Sequence, residues 1–481
     1  MTALPLDDCD PPAAGHPVGR AHDRHHPAAA APAVAPAPLR DRSRRHARVS
    51  STGWPIARAV LHRLLGSIEG GRIVLIDGDD HRPFAAATPD RGGREDLLQA
   101  VVTVRDHRFY TSTVRGGSSG LGEAYIQGWF DVDDLTALLR LLARAMHRLE
   151  PLRHRAHDLA RPLAEPIRRR RHPDADRDRA DVASHYDLGN AFYELFLDET
   201  LTYSAGIFES PNATMGDASR AKYERLCQAL RLEPGQRIAE VGTGWGAFAI
   251  HAATHHGVEV VTTTLSEEQH RVATHRVAEA GLSDRIEVRR DHYRDLHGRF
   301  DALVAVEMIE AVDWRELDDF VAHCAGLVGP RGAVGYQAIV VAPDRWSRAR
   351  VTEDFIKSHV FPGGNLPSVP SIVEAAARSD LALVDLADFG MHYAETLRRW
   401  RAALAERIDD ARSLGLDDEF LRLWDFYFCY CEAGFEERQV SVVQMVLERP
   451  GRAASLATTG PGGPEVQALF TSVRSTTPPS R

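Results

Sequence analysis

The stretch "RIAEVGTGWGAFAIHAA", Arg237 to Ala253, decides the fold. It opens as a short apolar strand and closes as an apolar helix, and Gly242, Gly244 and Gly246 join the two. A strand that runs through a glycine turn into a helix brings backbone N–H groups and a helix N-terminus up to a ligand. A dinucleotide fingerprint spaces its glycines GxGxxG, whereas the spacing here is GxGxG. Glu240 stands just before the turn, where a carboxylate repels a pyrophosphate and suits a ligand with a cationic amino group. Both features favour S-adenosylmethionine over NAD. The plain alternative is a tight turn with no ligand.

Neighbouring segments repeat the strand–helix unit. "VEVVTTTL" reads as a strand and "SEEQHRVATHRVAEAG" as a helix, and "RIEVRRD", "FDALVAVEMI" and "GAVGYQAIVV" read as further strands. The alternation predicts an open, mostly parallel α/β sheet between Ser184 and Arg452. Upstream, "GRIVLIDG" and "LLQAVVTVRD" predict short strands, and "GSSGLGEAYIQGWFDVDDLTALLRLLARAMHRL" a turn feeding helices. Between these regions, residues 151–183 are dense in Arg, Asp and Pro. They read as a charged linker, either a solvated hinge or a phosphate-facing surface.

Composition sets the outer bounds. A chain of 481 residues suits two domains with tails. A net charge of −10 argues against a nucleic-acid binder. Lys222 and Lys357 are the only lysines, so arginine carries the positive charge. The five cysteines show neither metal-ligand spacing nor a disulfide framework, so no metal site is expected and a reducing compartment is. Residues 1–51 and 453–481 are biased and poor in large apolar side chains, and read as disordered tails. No apolar run is long enough for a bilayer. The expected location is the cytoplasm, with at most peripheral membrane contact.

The motifs "HYDLGNAFYELFLDETLTYSAGIF", "EVGTGWGAFAIHAA", "TTTLSEEQ", "YRDLHGRFD", "VEMIEAV", "DFIKSHVFPGGNLPS" and "HYAETLRRW" together resemble the cyclopropane-fatty-acyl-phospholipid synthase family, in the family's order. "GSSGLGEAYIQGWFDVDDL" resembles the small N-terminal domain of its longer members. The resemblance implies a Rossmann-like class I S-adenosylmethionine-dependent methyltransferase domain over 184–452 and a smaller α+β, lipid-associated domain over 52–150. It implies an enzyme that alkylates the double bond of an unsaturated acyl chain in a phospholipid, and allows a homodimer.

Carried over residue by residue, the resemblance places Tyr203, Ser204, Glu240, Gly242, Thr243, Gly244, Trp245 and Gly246 around the cofactor. Thr264, Leu265, Ser266 and Gln269 follow at the next strand end. Asp291 and His292 share the adenine-facing segment, His292 holding the usual aspartate position.

Methyl transfer to an alkene creates a carbocation, which aromatic faces stabilise and a held base must quench. Trp245, Phe389, Tyr393, Tyr427 and Tyr430 are aromatic candidates, with core packing the alternative for each. In the family the base is a bound bicarbonate. Glu310, Tyr393 and the backbone of Ile339 match three of its ligands, but Ala205 replaces a cysteine and Gln337 a histidine. Gln337 can donate a hydrogen bond but cannot carry a proton away. Either these groups still hold the anion, or the base is slower or displaced. Late deprotonation lets a hydride shift first, giving a methylene chain that a separate reductase could convert to a methyl branch. "FPGGNLPS" reads as a loop over the site. The helix "LDDEFLRLWDFYFCYCEAGFEER" reads as core or as the wall of an acyl slot. A small-molecule methyltransferase and a catalytically impaired lipid-binding homologue are the rival functions.

Overall fold

Two sheets carry the fold. The computed structural model describes residues 53–85, 98–146 and 189–450, all within one compact unit. The expected tails and the charged linker lie outside the described residues.

The small sheet contains β1 (Gly71–Asp77), β2 (Asp80–Ala85), β3 (Leu98–Val104) and β4 (Phe130–Val132), in the order β2-β1-β3-β4. β1 and β3 are parallel, and the other pairs antiparallel. β2 is absent from the sequence reading, because five of its six side chains are exposed and give no apolar alternation. The "GSSGLG" segment is no free turn. It lies inside the helix Arg108–Ile126, which breaks at Gly117 (φ 56°, ψ −130°).

The large sheet contains β5 (Arg237–Val241), β6 (Glu259–Thr263), β7 (Ile286–Arg289), β8 (Phe300–Val306), β9 (Val328–Val341), β10 (Ala382–Asp388) and β11 (Val440–Glu448). Their order is β10-β11-β9-β8-β5-β6-β7. β5 to β9 are mutually parallel, and β11 runs against both β9 and β10. The sequence reading lacks β10 and β11. β10 is an edge strand whose Val384 and Leu386 are exposed. The chain leaves β5 toward β6 and β7, then returns on the other side to β8 and β9. That reversal opens a crevice at the carboxyl ends of β5 and β8, where α/β sheets bind their ligands.

The helices start where the sequence supplies caps. Thr214 and Asp217 form a capping box for Met215–Leu230, Ser266 caps Glu267–Glu279, and Asp417 caps Asp418–Glu436. One apolar cluster runs from Leu61 and Ile73 through Phe192 and Trp400 to Trp424. Within it Phe420, Trp424, Phe426 and Phe428 of the helix Asp418–Glu436 are buried, so those side chains are core. The same helix joins the small sheet's region to the large one. Tyr125 donates to Asp425 at 2.6 Å, and Arg144 pairs with Glu437 at 2.8 Å. A cleft of about 410 Å³ beside it meets Tyr125, Arg401 and Arg422. Asp425 and Asp131 balance those arginines, and the cleft shares no lining residue with the crevice of β5 and β8 described next.

Candidate active site

The turn after β5 is built for close approach. Gly242, Gly244 and Gly246 have φ of 95°, 51° and 87°, a region that side-chain-bearing residues avoid. A Cβ at Gly242 would stand 3.2 Å from Met308 Cγ, while nothing lies within 4 Å of one at Gly244. The helix Ala247–His256 begins at Gly246 with no side-chain cap, so its first N–H groups remain for a ligand. Beneath the turn Glu240 is buried and accepts from Thr262 Oγ1 at 2.6 Å; Thr262 in turn accepts from Thr243 Oγ1 at 2.7 Å. Burial pushes the Glu240 carboxyl up to about 8, against the pull of the Thr262 hydrogen bond. An arriving cationic group favours its ionised form.

The other cofactor positions gather at neighbouring strand ends. After β6, Thr264 donates to Gln269 Oε1 at 2.8 Å, and Ser266 Oγ accepts from the Gln269 N–H at 3.2 Å. Leu265 is half-buried beside them. Glu267 and Glu268 pair with Arg290 and Arg271, so they do not take the place of a ribose-binding carboxylate. After β7, His292 is buried and caps the turn Tyr293–Asp295, whereas Asp291 is exposed. Of that pair His292 is the buried one. Tyr203 stacks on Trp400 at 5.2 Å and donates to Tyr427 at 3.1 Å. Ser204 accepts from Lys222 Nζ, and Trp245 donates to Asn190 at 2.9 Å. An open glycine cradle, an uncapped helix start and a buried carboxylate fit S-adenosylmethionine.

Next to this cradle, β8 ends in a second constellation. Glu307 follows the strand at φ 48°, and its N–H donates to the Gln337 carbonyl at 2.7 Å. Its Oε1 accepts from the Ala205 N–H at 2.9 Å and from Gln337 Nε2 at 2.7 Å; its Oε2 accepts from Tyr393 Oη at 2.8 Å. Gln337 is oriented in turn, because its Oε1 accepts from Gln444 Nε2 at 3.0 Å. Burial raises the Glu307 pKa, while the Lys222 charge, Gln337, the Ala205 N–H and Tyr393 all oppose that rise. Lys222 is fully buried and pushed down to about 8, with Glu307 and Asp198 holding it up. Glu310 Oε1 accepts from the Ile339 N–H at 2.5 Å, and its buried Oε2 has no hydrogen-bond partner among the described residues. Burial and the Glu307 charge push Glu310 up to about 8. The "FPGGNLPS" loop joins the site through the Asn365 N–H, which donates to the Glu310 carbonyl at 2.8 Å, and through Phe361, edge-on to Tyr427.

This geometry corrects the bicarbonate expectation. Gln337 and Tyr393, foreseen as ligands of the anion, donate to Glu307 instead. The Glu307 carboxylate already occupies those donors, and an added anion would meet its charge in a buried space, so the residues present do not fit it. Tyr393 and Tyr427 reach the site, while Tyr430 packs on Phe426 and Phe389 beside His392. Sequence reasoning missed Glu307 and Lys222. Both left a trace: Glu307 lies in the quoted "VEMIEAV", and Lys222 is one of two lysines in an arginine-rich chain. Elsewhere, Cys227, His251 and His256 come together. Glu224 lies 3.1 and 3.0 Å from the two imidazoles and satisfies them.

The family model for mycolic acid cyclopropane synthetase matches residues 173–445. The tuberculostearic acid methyltransferase UfaA1 of Mycobacterium tuberculosis is 40% identical over 347 residues, 70% of this chain and 80% of that protein. The cyclopropane-fatty-acyl-phospholipid synthase of Escherichia coli K12 is 29% identical over 73% of this chain and 88% of its own length. The mycolic acid cyclopropane synthase CmaA1, solved with SAH and CTAB, superposes with a TM-score of 0.53 and 29% identity, covering 56% of this chain and 98% of that one. The chain thus belongs to the mycolic acid cyclopropane synthetase family, and it is an S-adenosylmethionine-dependent methyltransferase with a Rossmann-like class I fold.

Proposed function

We propose that this enzyme adds a one-carbon unit to the double bond of an unsaturated acyl chain esterified in a phospholipid, and that the product is a methylene-branched chain. The carrying observation is the buried carboxylate Glu307, held by Ala205, Gln337 and Tyr393 beside the cofactor turn. An oxygen or nitrogen nucleophile reacts through its own lone pair. An alkene reacts through carbon, and a proton must then leave carbon, which calls for a rigidly held base in a dry site. When bound, S-adenosylmethionine supplies an electrophilic methyl group. Tyr203 and Tyr427, joined by a hydrogen bond at 3.1 Å, are the aromatic groups assigned to the resulting positive charge.

Gln337 bears on the product, since it donates to Glu307 yet cannot relay a proton onward. Slow proton loss favours a prior hydride shift, hence a methylene group. The relative named a tuberculostearic acid methyltransferase supports this reading. A cyclopropane is the second reading, supported by the relatives named cyclopropane synthases. The methylene product is an alkene that a separate reductase would saturate. No described helix is long and apolar enough to cross a membrane, so access to a phospholipid would be through peripheral contact.

The test is product analysis. The protein is incubated with deuteromethyl S-adenosylmethionine and vesicles of mono-unsaturated phospholipid, and the released chains are weighed and ozonised. The expected chain carries an added CD2 carbon and is cleaved at it. A chain that resists ozone is a cyclopropane. A chain with no added carbon turns the assignment to a small-molecule substrate or an impaired homologue.

A further inference from the structure

We propose that Glu307 is the proton acceptor of this reaction, a carboxylate supplied by the chain itself where the family resemblance expects a bound bicarbonate. The proposal rests on the alkene reading above.

The donor set is that of an anion site. A backbone N–H from residue 205, an amide from residue 337 and a phenol from residue 393 converge on one carboxylate, at 2.9, 2.7 and 2.8 Å. The Lys222 ammonium, tied to Ser204, supplies the countercharge. Four distant parts of the chain thus build a receptor, and Glu307 fills it. The backbone agrees, because φ is 48° at Glu307. Glycine would adopt that conformation freely, whereas here the fold holds a residue with a side chain in it. The two oxygens are not equivalent. Oε1 accepts two hydrogen bonds and Oε2 one, so Oε2 keeps a lone pair for a proton.

The step balances without an oxidant or reductant. The alkene π pair forms the new bond to the methyl carbon as the carbon–sulfur bond breaks, and sulfur keeps that bond's pair. A hydride then moves with its electrons from the methylated carbon to the adjacent cationic carbon. The new methyl group's C–H pair becomes the methylene π bond, and its proton passes to Glu307 Oε2.

The test compares wild type, E307Q and E307G, each first shown to bind S-adenosylhomocysteine by calorimetry. In CO2-free buffer the wild type is expected to keep its full rate. E307Q is expected to lose about a thousandfold in kcat at unchanged cofactor affinity. E307G vacates the receptor and is expected to regain turnover as bicarbonate is added. A wild-type rate that falls without CO2, or an E307Q rate within tenfold of wild type, overturns the proposal. A second readout needs no turnover: line broadening of 13C-bicarbonate by E307G but not by wild type is expected, and broadening by wild type overturns the proposal. A protein that alkylates no lipid therefore sinks the substrate reading separately, while the bicarbonate arm still judges Glu307.

Discussion

β5 and β8 lie side by side in the sheet, and each ends in half of the site, yet the halves are built in opposite ways. The β5 half is local. Glu240, the three glycines and the start of the next helix follow within ten residues, and their conformation is set by glycine alone. The β8 half is assembled from afar. Glu307 meets Ala205, Gln337 and Tyr393 and feels the charge of Lys222, groups that come from separate loops, strands and helices. The local half is the cradle that fits S-adenosylmethionine, and the assembled half is where the proposal places the proton acceptor.

That contrast can be broken by substitution. Gly242→Ala strains a residue at φ 95° and presses on Met308. It should weaken S-adenosylhomocysteine binding by about tenfold to a hundredfold, measured by calorimetry, and leave kcat at saturating cofactor nearly intact. Tyr393→Phe removes the donor to Glu307 Oε2. Leaving that oxygen unsatisfied costs about 1–3 kcal/mol, so kcat should fall about tenfold to a hundredfold with cofactor affinity unchanged. If both variants lose binding and turnover alike, the two halves are not separable.

Two subtler effects sharpen the comparison through pH. Lys222→Met removes the positive charge that helps keep Glu307 ionised. The Glu307 pKa then rises, and the acid limb of the pH–rate profile should move to higher pH by about one unit. Glu310 concerns stability. Its pKa climbs from 4.5 unfolded to about 8 folded, so the native state holds the extra proton between those values. Its favourable contribution is complete below pH 4.5 and is lost as pH rises toward 8 and beyond. Glu310→Gln removes the titration. Relative to wild type it should gain thermal stability at pH 8.5 and not at pH 4.5, as read by calorimetric melting.

The same division decides how much the sequence discloses. Strand–glycine–helix punctuation exposes β5 to β9 and the cofactor turn, because each signal lies within a short window. β2 and β10 escape, since exposed or half-exposed edge strands lose the apolar pattern. The kinked helix at Gly117 reads as a turn because glycine-rich helices carry turn composition. Glu310, Gln337 and Tyr393 are legible by resemblance, as is the loss of the cysteine and histidine. What replaces the missing anion is not, because Glu307 gains its meaning from donors 30 to 102 residues away in the chain. A motif scan sees "VEMIEAV" and weighs one glutamate; only the fold shows that the other fills the receptor.

The most direct test is a crystal structure of the S-adenosylhomocysteine complex grown in bicarbonate buffer. The account predicts the Glu307 carboxylate on the Ala205 N–H, Gln337 and Tyr393, with no planar anion between them. Bicarbonate density on those donors, with Glu307 turned away, would contradict it.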